Sequence, residues 1–184
     1  MAEPKFIHLR VHTAYSLSEG AMKVPALMHR LHEQGVPAIA LTDTANMFGG
    51  KAFSKYASDE GIKPILGCQF YLRNPDADDV LKSKGRIIEP DKIVLLVMNA
   101  EGYANIMHLM KRSYLDNPQS NEKPQLKMSD LESFNTGLIA LTGGVEGQVG
   151  RLLLEKRIPE AEQCLCKLHD LFGNRLYMEI SRIG

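Results

Sequence analysis

The sequence predicts an α/β protein built on parallel strands, a barrel or a part of one. Three observations carry this. Short apolar runs recur at 38–41, 92–98 and 137–141, as in strands buried on both faces. Segments between them place apolar residues three and four apart, the period of a helix. Polar, glycine-bearing loops follow the strands, where sheets of this kind hold ions and phosphates.

The elements follow in order. Phe6-Ile7-His8-Leu9-Arg10-Val11 alternates and is expected to be the first strand. Val24, Leu27, Met28 and Leu31 mark one face of a helix ended by Gly35. Ala38-Ile39-Ala40-Leu41 is the next strand, and 51–58 the next helix, stopped by Asp59-Glu60-Gly61. Strand material at 62–66 and 68–72 is expected to break at Gly67. The run 92–98 is the clearest buried strand. Tyr103, Ile106, Met107, Met110 and Tyr114 stripe the longest helix and are expected in the core. Ser129 with Glu132 has capping-box spacing before a short helix. Strand 137–141, helices 148–156 and 159–172, and strand 176–180 complete the chain. The charged stretch 74–90 and the polar stretch 117–127 read as solvated surface insertions.

Composition narrows the function. The 184 residues suffice for one domain with a real core, spanning 1–184. Lys+Arg and Asp+Glu balance at 22 each, so charge alone leaves no footprint for nucleic acid or an anionic membrane. No apolar run reaches the roughly 20 residues of a membrane span. Met1-Ala2-Glu3-Pro4-Lys5 lacks the plan of a signal peptide, so a cytoplasmic location is expected. Cys68, Cys164 and Cys166 form no disulfide framework and are expected to be reduced.

Candidate chemistry lies after the strands. His12 and Glu19 follow the first strand, a histidine and a carboxylate seven residues apart, which is half of a hard-metal site. Thr42-Asp43-Thr44-Ala45-Asn46, Gly67-Cys68-Gln69, Thr142-Gly143-Gly144 and Ser181-Arg182-Ile183-Gly184 follow the others. These loops lack the His, Asp and Glu density of a multinuclear centre. His29 and His32 lie off the apolar stripe of their helix and read as exposed polarity. Gly143, Gly144, Gly147 and Gly150 match no nucleotide fingerprint and read as a tight turn.

An ordered set of segments opens with His8-Leu9-Arg10-Val11-His12-Thr13, Tyr15-Ser16-Leu17 and Glu19-Gly20. Ala40-Leu41-Thr42-Asp43, Asn46-Met47-Phe48-Gly49 and the run from Gly61 to Gly67 continue it. Leu95-Leu96, Asn99, Glu101-Gly102-Tyr103, Asn105, Leu109, the run from Gly137 to Gly143 and Tyr177-Met178-Glu179-Ile180 complete it. This set resembles the PHP (polymerase and histidinol phosphatase) family, and within it the domain that opens the alpha subunits of bacterial replicative DNA polymerase III.

The resemblance implies a distorted (β/α)7 barrel, expected to be unfinished at Gly184, and up to three metal ions in active members. It also implies which ligand positions have changed. Arg10 stands where the first His of a His-x-His pair is usual, with His12 retained, and Glu19 keeps a carboxylate. Asp43 remains, but Thr44 replaces the histidine of Thr-Asp-His. Gln69 replaces a bridging glutamate, Lys92 a histidine, Gly144 a cysteine and Ile183 a histidine. Guanidinium and ammonium groups cannot bind a metal and repel one. The expectation is therefore a degenerate site with no metal and no catalytic residue here. Arg10 is expected to pair with Glu19 or Asp43 in the metal's place. Zn2+ or Mn2+ enters only if His12, Glu19 and Asp43 still serve a phosphoesterase or 3'-5' exonuclease, which is the alternative. A stand-alone binding module is a third reading.

The resemblance further implies that the whole protein is a DNA-directed DNA polymerase using Mg2+, in contact with DNA only through its full length. This piece would support the rest of the alpha subunit and dock the proofreading exonuclease (epsilon) subunit, with no membrane partner.

Overall fold

The computed structural model describes residues 6–78, 88–116 and 123–180. It divides into two compact units, 1–69 and 70–184. No helix among the described residues is long and apolar enough to cross a membrane.

In the first unit, α1 (Val24–Glu33) buries Val24, Met28 and Leu31, the stripe its sequence predicts. β1 (Ala38–Leu41) is buried throughout and pairs in parallel with β2 (Lys63–Leu72), Ala38 opposite Lys63 and Leu41 opposite Leu66. α2 (Gly50–Asp59) buries Phe53 and Ala57. These side chains join Val11, Val36, Ile39 and Ile62 in one apolar core.

Two expectations fail in this unit. Residues 6–11 run beside β1 without forming a strand. The His8 carbonyl accepts from Ala40 N–H at 2.9 Å and the Val11 carbonyl from Thr42 N–H at 3.0 Å. Three steps on one side thus face two on the other, which breaks a ladder. The Thr42 hydroxyl takes the Val11 N–H at 2.7 Å in place of a backbone partner. β2 also runs unbroken through Gly67, which is not among the glycines with positive φ.

In the second unit, the end of β2 pairs in parallel with β4 (Gln125–Leu126). β3 (Asp91–Val97) pairs antiparallel with β5 (Leu138–Leu141), correcting the all-parallel expectation. A run of buried apolar residues has no polarity of its own, so it fits either direction. β5 continues in parallel to β6 (Leu176–Tyr177), shorter than predicted. α4 (Met128–Ser133) is capped by Asp130, whose carboxylate accepts the Lys127 N–H at 2.8 Å, so the expected Ser129–Glu132 box is displaced. α5 (Gln148–Leu154) and α6 (Ile158–Phe172) lie near their predicted bounds. Cys164 is buried on α6, and that burial pushes its thiol up to about 11.

α3 (Ala100–Leu115) is a helix as predicted, but its buried face is Gly102, Ile106, Leu109 and Ser113. Tyr103, Met107 and Tyr114 are exposed instead. The cause is Gly102. A Cβ there would lie 1.9 Å from the Gly137 carbonyl oxygen, so only glycine lets this face approach so closely. Gly102→Ala is expected to cost about 3 kcal/mol, because a backbone carbonyl cannot step aside. Thermal unfolding of the variant measures it.

The stretch 74–90 is described at 74–78 and 88–90, and its start is not solvated. Asn74 is 2% exposed. Asp76 pairs with Arg157 at 2.5 Å and Arg151 at 3.4 Å. Arg151 also grips Asp91 through Nε at 2.7 Å and Nη2 at 3.1 Å. The stretch 117–127 is described from 123, and there Leu126 is fully buried.

Candidate functional site

The predicted residues of the first unit come together around the carboxyl end of β1. Asp43, fully buried, is their centre. Its Oδ1 accepts Thr13 N–H at 2.6 Å and Ser16 O–H at 2.6 Å. Its Oδ2 accepts Thr13 O–H at 2.7 Å. Asp43 thus ties down the loop that follows Val11. Gly20 closes this loop, and a Cβ there would meet the Thr13 carbonyl oxygen at 2.1 Å. Ser18 and Ala45 both hold positive φ, at 65° and 53°, which is uncommon for residues with a Cβ.

His12 lies beside this knot. Its Nδ1 is 3.3 Å from Ser16 Oγ, 3.4 Å from Thr44 Oγ1 and 3.5 Å from Glu19 Oε2. The Thr44 hydroxyl donates to Glu19 and accepts Gln69 Nε2–H at 2.8 Å. Gln69 in turn accepts Arg10 Nε–H at 2.9 Å. One hydrogen-bonded chain therefore runs from Arg10 through Gln69 and Thr44 to Glu19. An amide oxygen takes the guanidinium Nε–H of Arg10, and the side-chain donors to the Asp43 carboxylate are Thr13 and Ser16 rather than Arg10.

The loops around this site are held by residues to which the sequence analysis gave no individual role. Asn46 donates to the Tyr15 and Thr44 carbonyls, both at 3.0 Å. Cys68, fully buried, donates its thiol to the Asp43 carbonyl at 3.3 Å, and burial pushes that thiol far above its ordinary range. Thr13 and Ser16 are buried as well. Their signal was a pair of hydroxyl residues three apart beside a strand-end Thr-Asp.

Of the other predicted positions, Lys92 and Gly144 belong to the second unit, where Lys92 pairs with Glu146 at 2.7 Å. Gly144 begins a 3-10 turn there. Ile183 falls outside the described residues.

Both Asp43 oxygens already accept N–H or O–H donors, and Glu19 accepts from Thr44. Among the described residues no group of three or more His, Cys, Asp or Glu side chains could hold an ion.

Fold and cluster together define a class: α/β proteins with a polar site on the loops that follow their strands. Residues 8–183 match the PHP domain, and the chain belongs to that family. It is 36% identical over its whole length to DNA polymerase III subunit alpha of Vibrio cholerae. It is 37% identical, over 97% of its length, to the subunit of the same name from Caulobacter vibrioides. The chain spans 15% of the length of each of these relatives. An amidohydrolase from Chromobacterium violaceum, solved with sulfate and no metal, shares the fold. Its TM-score is 0.50 at 14% identity, over 96% of this chain and 85% of that one.

Proposed function

We propose that this chain is the opening PHP domain of a replicative DNA polymerase alpha subunit, acting as a scaffold and docking piece. The observation that carries the reading is the Asp43 knot. Groups that would face metal ions in an active relative are turned instead to hydrogen-bond Thr13, Ser16 and Thr44. Hydrolysis by this family's chemistry needs a metal-activated hydroxide, and the hydrogen bonds that occupy Asp43 and Glu19 support a reading without one. DNA synthesis with Mg2+, and a cytoplasmic location, belong to the same reading of the whole protein.

The docking partner in this reading is the proofreading exonuclease subunit. The loops tied down by Asp43 and Asn46 present Leu17 at 86% and Phe48 at 77% exposure, with Tyr15 and Met22 beside them in sequence. Large apolar side chains held on stiff loops are what a partner protein uses as anchors.

Two measurements on the full-length chain test the proposal. Metal content after incubation with Zn2+ and Mn2+ and exhaustive buffer exchange is expected to be near zero at this site. One or more tightly held ions would revive the phosphoesterase, with His12 and Glu19 the first residues to replace. Leu17→Glu with Phe48→Glu is expected to weaken exonuclease binding more than tenfold in titration calorimetry. Unchanged affinity would remove these loops from the interface.

A further inference from the structure

The two loops that carry Leu17 and Phe48 meet at one buried amide. Asn46 is 8% exposed, and both ends of its side chain are used. Nδ2 donates to the Tyr15 and Thr44 carbonyls, both at 3.0 Å, and Oδ1 accepts the Phe48 N–H at 3.2 Å. Two carbonyls at one end and an N–H at the other settle which end is the oxygen.

These three bonds span both loops. Thr13 and Ser16 tie the first loop to Asp43, but Leu17 and Phe48 both lie beyond that knot in sequence. Asn46 reaches further along each loop, to Tyr15 on one and to Phe48 on the other. Gly49 adds a second contact between them. A Cβ there would lie 2.8 Å from Tyr15 Cδ2 and 3.1 Å from Cε2, so the ring rests against the backbone of the second loop. The conformation of Gly49 is ordinary, φ −73° and ψ −13°, so the close ring is what its missing Cβ serves.

We propose that Asn46 is a positioning residue. It locks the two loops together, so that Tyr15, Leu17 and Phe48 meet a partner as one preformed surface. A surface ordered before contact loses little freedom on binding, whereas separate loops have to be ordered by the partner. The effect on affinity rests on the reading that these loops dock the exonuclease subunit; the coupling of the loops does not.

Hydrogen exchange of the full-length chain tests the coupling. Asn46→Asp keeps an acceptor for the Phe48 N–H but sets an anionic oxygen against two carbonyls. The amides of Ala14, Glu19 and Gly20, all on the other loop, are expected to exchange at least tenfold faster while those of α1 keep their rates. Faster exchange confined to 44–49, equal acceleration in α1, or no change overturns the proposal. Gly49→Ala leaves all three hydrogen bonds and displaces only the Tyr15 ring. It is expected to speed the same three amides by a smaller factor, and it carries the test if Asn46→Asp does not fold. In titration calorimetry with the exonuclease subunit, Asn46→Asp is expected to weaken binding about tenfold, but less than twofold when Leu17→Ala and Phe48→Ala are already present. A tenfold loss in both backgrounds makes Asn46 a contact in its own right and overturns the positioning role. If Leu17→Glu with Phe48→Glu leaves affinity unchanged, docking at these loops fails by itself, and the exchange rates still decide the coupling.

Discussion

Replacing Asp43 with alanine is expected to destabilise the protein by about 3–5 kcal/mol. The carboxylate accepts three short hydrogen bonds, from Thr13 N–H, Thr13 O–H and Ser16 O–H. A buried donor left without its acceptor costs about 1–3 kcal/mol, more where the lost partner was charged. The two hydroxyls can rotate towards other acceptors, whereas the Thr13 N–H cannot, which keeps the total below a simple sum. Asp43→Asn preserves the volume but offers one acceptor oxygen, and an intermediate loss is expected. Urea unfolding measures both variants. A loss under about 1 kcal/mol for Asp43→Ala would mean that Asp43 does not hold the loop. A true metal ligand predicts the opposite sign in the absence of metal, since site carboxylates are kept at a cost to stability.

The second large effect is expected at Asp91. Its side chain is 2% exposed and is held by Arg151 through two hydrogen bonds of 2.7 and 3.1 Å. Asp91→Ala leaves a mostly buried guanidinium with its main partner gone, and about 3–5 kcal/mol is expected to be lost. Replacing both, as Asp91→Leu with Arg151→Met, is expected to recover most of it, because two apolar side chains need no compensating charge. A double-mutant cycle read by urea unfolding gives the coupling.

The pH dependence has a definite sign. Burial raises the Asp91 carboxyl above its ordinary value, and the Arg151 hydrogen bond offsets this only in part. The folded state therefore favours the protonated acid more than the unfolded chain does. The stability this shift contributes is complete below the ordinary carboxyl value of 3.8 and is lost as pH rises through the raised one. In Asp91→Asn that slope should vanish from a stability profile taken between about pH 3 and 7. A profile unchanged by the substitution would contradict the burial of this carboxyl as the cause.

Much of this was legible from local chemistry. The all-apolar run at 38–41 is typical of a buried strand, and Val24, Met28 and Leu31 repeat with a helix period. Asp43 follows β1 as that rhythm implies, whereas His12 follows a segment that is not a strand and Gln69 lies inside β2; all three converge with Glu19 and Thr44 in one cluster. The misreadings share a cause. Tyr103, Met107, Met110 and Tyr114 form a sound helical stripe, yet Gly102 brings the neighbouring face against Gly137. Asp76 reads as loop charge, yet two arginines more than seventy residues away enclose it.

By itself the sequence determined most of the alternation of strands and helices and the family resemblance, because each depends on residue type and spacing along the chain. Only the tertiary structure decided which way β3 and β5 run, which face of α3 is covered, and that Asp43 answers to Thr13 and Ser16. Those outcomes turn on which groups satisfy one another across the fold. A carboxylate, a glycine or an apolar stripe is compatible with several partners until packing brings one of them within a few ångströms.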